Sequence, residues 1–172
     1  MYVHPTYAVT PQREPLGVLD AWMWVREKKD KFGVRGGPKE SLRWIEGYGR
    51  IAEMAGGLCG TRVVYVADRE ADLMPLMVRA QELGTPADWL IRASHNRCLP
   101  DGVKLWEHTT AGASIGEIAF TMASRHGVKA RAVRQQLWVE RVALPAGKGK
   151  TVAATCLVAR EVGTSTGAKP IE

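Results

Sequence analysis

Apolar positions along the first half of the chain change their period in a regular way. Tyr2-Val-His-Pro-Thr-Tyr-Ala-Val9 and Leu16-Gly-Val-Leu-Asp-Ala-Trp-Met-Trp24 are β-branched and aromatic runs separated by Thr10-Pro-Gln-Arg-Glu-Pro15, which predicts two strands joined by a turn. Glu27 to Pro38 mixes charges with Gly33, Gly36 and Gly37 and predicts a loop. From Glu40 to Ala55 the residues Leu42, Ile45, Tyr48, Ile51, Ala52 and Ala55 recur at three- and four-residue spacing before Gly56-Gly57. That is a helix with one buried face, weakened by Gly47 and Gly49.

Arg62-Val-Val-Tyr-Val-Ala67 is a continuous apolar run, the pattern of a central strand covered on both faces. Leu73, Leu76, Met77, Ala80 and Leu83 then return to helical spacing, with Asp72 a candidate N-cap, Pro75 tolerable in the first turn and Gly84 a stop. Asp88-Trp-Leu-Ile-Arg-Ala-Ser94 predicts a further strand. Strand, strand, helix, strand, helix, strand argues for a mixed α/β sheet with helices packed on it.

After Pro100-Asp-Gly102 the pattern changes. Ile115–Met122, Lys129–Leu144 and Thr151–Val162 are rich in Val, Ala and Thr with alternating polar residues, and Gly127, Pro145-Ala-Gly-Lys-Gly149 and Gly163 punctuate them. These predict an antiparallel β subdomain, with Val133 to Leu144 its clearest strand. The fold class is therefore α/β (α+β), with a core over residues 1–98 and a β-rich subdomain over 99–172.

Composition narrows the function classes. A chain of 172 residues, 45% hydrophobic and 24% charged, can bury one core and is neither fibrous nor disordered. Its apolar runs fall far short of the roughly 20 residues of a membrane span. Met1 is followed by no charged-then-apolar leader, so a cytoplasmic protein with no membrane partner is expected. Cys59, Cys98 and Cys156 are odd in number and widely separated, which predicts reduced, buried thiols.

The net charge of +6 is uneven along the chain. Residues 1–91 carry twelve Lys/Arg against twelve Asp/Glu, whereas residues 92–160 carry eleven against four. The excess points to a polyanion partner for the second half.

Asp68 follows the Arg62–Ala67 run directly, at the strand-to-helix turn where open α/β sheets place ligands. Position alone also fits a helix cap. The surrounding string, Val64-Tyr-Val-Ala-Asp-Arg-Glu-Ala-Asp-Leu73, resembles the DREAD signature of bacterial cut-and-paste insertion-sequence transposases. The likeness continues in order through His4-Pro-Thr-Tyr-Ala-Val-Thr10, Pro15 to Trp24, the Trp44-containing helix and Leu90-Ile-Arg-Ala-Ser-His95, and so spans nearly the whole chain.

The resemblance implies a partial ribonuclease H-like core with a mostly antiparallel β insertion, and the metal-dependent DNA cleavage and strand transfer of a DDE enzyme. Asp68 corresponds to the second carboxylate of the triad, which holds magnesium, with manganese able to substitute. Hydrolysis of a phosphodiester uses one metal to activate the attacking oxygen and another to stabilise the leaving one. Arg69 and Glu70 belong to the signature as supporting residues. Arg92, His95 and Arg97 are expected to face DNA, where an arginine can hold a phosphate with two parallel hydrogen bonds.

The family's first Asp ends a strand that precedes the segment matching Tyr2–Val9. Its third carboxylate sits in a Tyr-Arg-Glu-Lys motif on a helix that follows the β insertion. Neither has a counterpart here, since Glu172 matches the lead-in to the next strand and Asp20, the tempting substitute, falls inside a strand. The expectation is an internal fragment of a transposase, inactive alone, whose intact relatives are homodimers acting on transposon ends and target DNA. The alternative is a catalytically inert remnant or a non-specific DNA-binding module.

Three other constellations carry less. His95-x-x-Cys98 lacks a second pair for zinc, with His4, His108 and His126 scattered. Gly147-Lys-Gly-Lys150 lacks the spacing of a phosphate loop and reads as a β-turn with solvated lysines. Trp106 and Trp138 are strand-type core residues before they are base-stacking platforms.

Overall fold

In a computed structural model that describes residues 1–25, 27–33, 36, 39, 41–124 and 129–163, the two opening apolar runs pair antiparallel. They form β1 (Tyr2–Val9) and β2 (Pro15–Trp24), with Tyr2 opposite Trp24 and irregularities after Thr6 and Ala8. Next come α1 (Leu42–Gly56), β3 (Val64–Ala67), one 3-10 turn at Arg69–Ala71, α2 (Met74–Glu82) and β4 (Asp88–Ile91). The element order of the first half matches the periodicity. The predicted loop Glu27–Pro38 lies partly, and Gly127, His126 and Glu172 wholly, outside the described residues.

The chain divides into two units, Met1–His95 and Asn96–Glu172, three residues before the division expected from sequence. Mixed helices and strands place the chain in the α+β class.

In the first unit β3 and β4 pair in parallel, from Val64 opposite Asp88 to Ala67 opposite Ile91, with α2 as the crossover between them. The predicted single mixed sheet is instead two two-stranded sheets among the described residues, β1–β2 and β3–β4. The expectation for β3 is corrected with it. Tyr65 is buried, but Val64 and Val66 are exposed, as is Leu90 on β4, so only one face is covered. An apolar run reports hydrophobicity on both faces and cannot say how many are packed.

Helix α1 supplies the cover. Trp44, Tyr48, Ile51 and Ala52 form a core with Tyr65, Ala71, Leu76, Ala80 and Ala87. Leu76 is fully buried, worth about 1.5–3 kcal/mol relative to exposure. Gly47 lies where a side chain would collide: a Cβ there would stand 3.2 Å from the Tyr65 hydroxyl and 4.0 Å from Thr6 Oγ1. A residue that weakens the helix locally thus lets strands β1 and β3 approach it. In α2, Pro75 sits in the first turn and Gly84 follows the last with φ +73°, both as anticipated.

The second unit is an antiparallel sheet in the order β5 (Gly116–Met122), β6 (Arg131–Gly147) and β7 (Lys150–Glu161). All three strands overlap the predicted segments, but β6 runs on to Gly147 through Pro145 and Ala146, which the sequence assigned to the turn. Strand β6 buries Val133 and Gln135 near one end and Val142 and Leu144 near the other, so it covers opposite faces at its two ends. Pro145 is accommodated because β5 pairs only with Arg131–Leu137, leaving that edge of β6 without a ladder at Pro145. Gly147, Lys148 and Gly149 all have positive φ and turn the chain into β7.

A short helix, α3 (Leu105–Thr110), packs on β6 and β7 and was not predicted. Only Leu105 and Thr109 are buried on it, too few apolar positions to mark a helical period.

Candidate functional site

Strand β3 ends at Ala67, and Asp68 turns the chain with extended backbone angles. Its Oδ1 accepts a hydrogen bond from Glu70 N at 2.9 Å, capping the 3-10 turn, while the side chain remains exposed. Position and capping therefore coincide: Asp68 is both the cap of the local turn and an exposed carboxylate at the carboxyl end of a parallel pair. Arg92 N donates to Ala67 O at 3.1 Å and extends the pairing one residue past β4, which brings exposed Arg92 to the same end.

Glu70 forms an ion pair with Arg43 of α1. The Arg43 guanidinium also lies over the Trp24 and Trp44 rings, 5.4 and 5.3 Å from their centroids. Glu70 thus ties the turn to the helix. Arg69 is exposed.

His4 of β1 meets Trp44 edge-on, with ring centroids 4.4 Å apart. Burial lowers its pKa and the Arg43 charge lowers it further, against opposing pulls from Glu70, Asp68 and Asp20. His4 is therefore within electrostatic reach of the Asp68 turn. The sequence placed His4 in a segment of the resemblance but gave it no role, because Trp44, Arg43 and the Asp68 turn are distant from it along the chain.

Asp72 corrects another expectation. The residue capping α2 is Leu73, without a side-chain bond, and Asp72 instead points into the protein. Its Oδ2 accepts from Ser94 N at 2.7 Å, His95 N at 2.9 Å and Ser94 Oγ at 3.2 Å, and lies 3.0 Å from His95 Nδ1. A buried carboxylate is tolerable only with such partners. The Ser94 hydroxyl has one proton, which goes to Asp72 Oδ2 or, at 3.4 Å, to Arg69 O, and with either partner the residues after β4 are fastened to the DREAD turn.

Asp68, Arg69, Glu70, Arg92 and His95 are thus gathered at one end of the β3–β4 pair. Arg97 belongs to the second unit and is half-buried. Asp20 forms an ion pair with Arg50 of α1.

Among the described residues no three His, Cys, Asp or Glu side chains converge to hold a metal ion. One Asp68 oxygen serves the local cap, Glu70 is paired with Arg43, and Asp72 is committed to Ser94 and His95. These donors do not by themselves fit a two-metal centre. For His95-x-x-Cys98, the histidine Nδ1 faces Asp72 and the Cys98 thiol donates to Gly102 O. The thiols are free as expected, but Cys59 and Cys98 are exposed rather than buried. Cys59 lies in the turn after α1 and Cys98 in an isolated bridge to Lys104, outside the packed elements of the core.

No protein-family model matches the chain, and no curated protein sequence matches it.

Proposed function

We propose that the chain is the central part of a DNA transposase of the DDE type, with a partial ribonuclease H-like core in residues 1–98, in which Asp68 supplies one metal-binding carboxylate. The observation that carries the proposal is the exposed Asp68 carboxylate at the carboxyl end of the parallel β3–β4 pair, with Arg92 continuing the strand beside it. Glu70 and Arg69 support the turn, Glu70 through Arg43. Magnesium, or manganese in its place, would supply Lewis-acid activation of the attacking and leaving oxygens in a completed site. Asp68 alone is too few oxygen ligands for that, so cleavage by this chain by itself is not expected.

The second half contributes DNA affinity through charge. Lys and Arg that neutralise phosphates release counterions, giving binding that is tolerant of sequence and falls steeply with salt. The partner is DNA, both element ends and target, with Arg92 and His95 of the first unit and, separately, Arg97 of the second as the phosphate-contacting residues.

The test combines two assays on the full chain. With magnesium or manganese and duplex DNA, no nicking is expected; metal-dependent cleavage abolished by Asp68→Ala would overturn the one-carboxylate reading. Binding to a duplex of arbitrary sequence should weaken steeply between 50 and 200 mM salt, of the order seen for several phosphate contacts. Failure of the chain to bind DNA would remove DNA as the partner. Affinity indifferent to salt would overturn the electrostatic reading, and affinity unchanged in the Arg92→Ala/Arg97→Ala variant would remove these two arginines from the interface.

A second reading, a DNA-binding module without nuclease chemistry, is favoured by the lack of converging carboxylates among the described residues. Co-expression with polypeptides bearing the family's first Asp and Tyr-Arg-Glu-Lys segments separates the two: recovery of cleavage that depends on Asp68 belongs to the transposase alone.

A further inference from the structure

Histidine 95 presents an unusual combination for a residue at a strand exit. Its side chain is 64% exposed, whereas the carboxylate against its Nδ1 is 1% exposed. Two backbone amides, Ser94 N and His95 N, already satisfy Asp72 Oδ2 and would staple the β4 exit to the turn without any ring. The imidazole contact at 3.0 Å comes in addition.

The chemistry of the contact fixes the ring. A carboxylate only accepts, so the Nδ1 that faces Asp72 carries the proton. Ser94 Oγ, 3.0 Å from the same Nδ1, closes the other side. With Nδ1 turned inward, the far edge of the ring, Nε2, is directed to solvent. The same segment begins at exposed Arg92 and is bonded through Ser94 N to Asp72, the last residue of the turn that Asp68 opens.

We infer that Asp72 is a positioning residue that holds the His95 imidazole with Nε2 outward beside the Asp68 turn, where it binds a phosphate oxygen of the DNA backbone. Phosphate oxygens also only accept, so the bound ring is protonated at both nitrogens and bridges one buried and one incoming anion. Arg69 and Arg92 add exposed positive charge on the same turn and strand end. This deepens the proposed function and rests on its assignment of DNA as the partner.

The test uses the full chain and an arbitrary-sequence duplex, with affinity measured by fluorescence anisotropy at fixed low salt. His95→Ala should weaken binding roughly five- to tenfold, the scale of one charge-assisted hydrogen bond at an open site. Asp72→Asn, which keeps an acceptor for the two amides, should weaken it by a similar factor. Introduced into His95→Ala, it should cost nothing further.

Nitrogen-15 spectra of the wild-type imidazole supply a readout that does not require a variant to fold, and the neutral ring should be protonated at Nδ1. An Nε2–H tautomer, an Asp72→Asn loss undiminished in the His95→Ala background, or full DNA affinity in His95→Ala would each overturn the inference while leaving DNA as the partner. Failure of the wild-type chain to bind DNA would overturn both.

Discussion

Gly47→Ala tests how β3, and with it Asp68, is seated on α1. In a helix interior the change should stabilise by about 1 kcal/mol, through reduced backbone entropy in the unfolded chain and better helix propensity. Against that, the new Cβ would meet the Tyr65 hydroxyl at 3.2 Å. The hydroxyl has little room to give, because Tyr65 is buried and its ring meets Tyr48 edge-on at 5.7 Å. Overpacking of this kind costs about 1–3 kcal/mol. The net effect in the wild-type background is therefore a loss of up to about 2 kcal/mol.

Removing the obstacle should reverse the sign. The Tyr65 hydroxyl reaches Trp44 O only at 3.5 Å, the outer limit of a hydrogen bond, so Tyr65→Phe alone should be nearly neutral. In that background Gly47→Ala should stabilise by about 1 kcal/mol, giving a coupling of roughly 1–3 kcal/mol across the cycle. Urea midpoints and slopes for the four proteins measure it. An equal effect of Gly47→Ala in both backgrounds would refute the close approach of Tyr65 to α1.

Three further outcomes are expected. His4 has a lowered folded pKa, so the unfolded chain takes up its proton first, near pH 6.5; stability should fall as pH drops below that value and level off beneath the folded pKa. His4→Gln should remove this component, and an unchanged stability profile between pH 4 and 7 would count against its burial beside Trp44. Gly149→Ala meets no atom within 4 Å but must keep φ +73°, so the turn between β6 and β7 should lose about 1 kcal/mol, read as a lower thermal midpoint. Val66 and Leu90 are 68% and 61% exposed on the uncovered face of β3–β4, and changing both to Thr should reduce self-association in sedimentation velocity; no change would show that this face is not the sticky one.

Much of the element order was legible because it depends on near neighbours. The three- and four-residue spacing from Leu42 to Ala55, the alternation around Val133 to Leu144 and the stops at Gly84 and Gly147 to Gly149 all act within a turn or a hairpin. The placement of Asp68 after an apolar run belongs with them, since a strand followed by a helix brings its turn residue to the strand's carboxyl end.

What the tertiary structure decided depends on partners far away in the chain. Gly47 read as a defect in a helix until Tyr65, eighteen residues on, came to rest above it. Asp72 carries every local sign of a cap, yet Ser94 and His95, over twenty residues later, offer its carboxylate more hydrogen bonds than the start of α2 does. Likewise a run such as Val63 to Ala67 states that both faces are apolar, whereas the number of faces covered is set by which strands and helices arrive. Periodicity records the chemistry a segment carries, but long-range pairing follows the path of the chain, and that alone decides which of those groups meet.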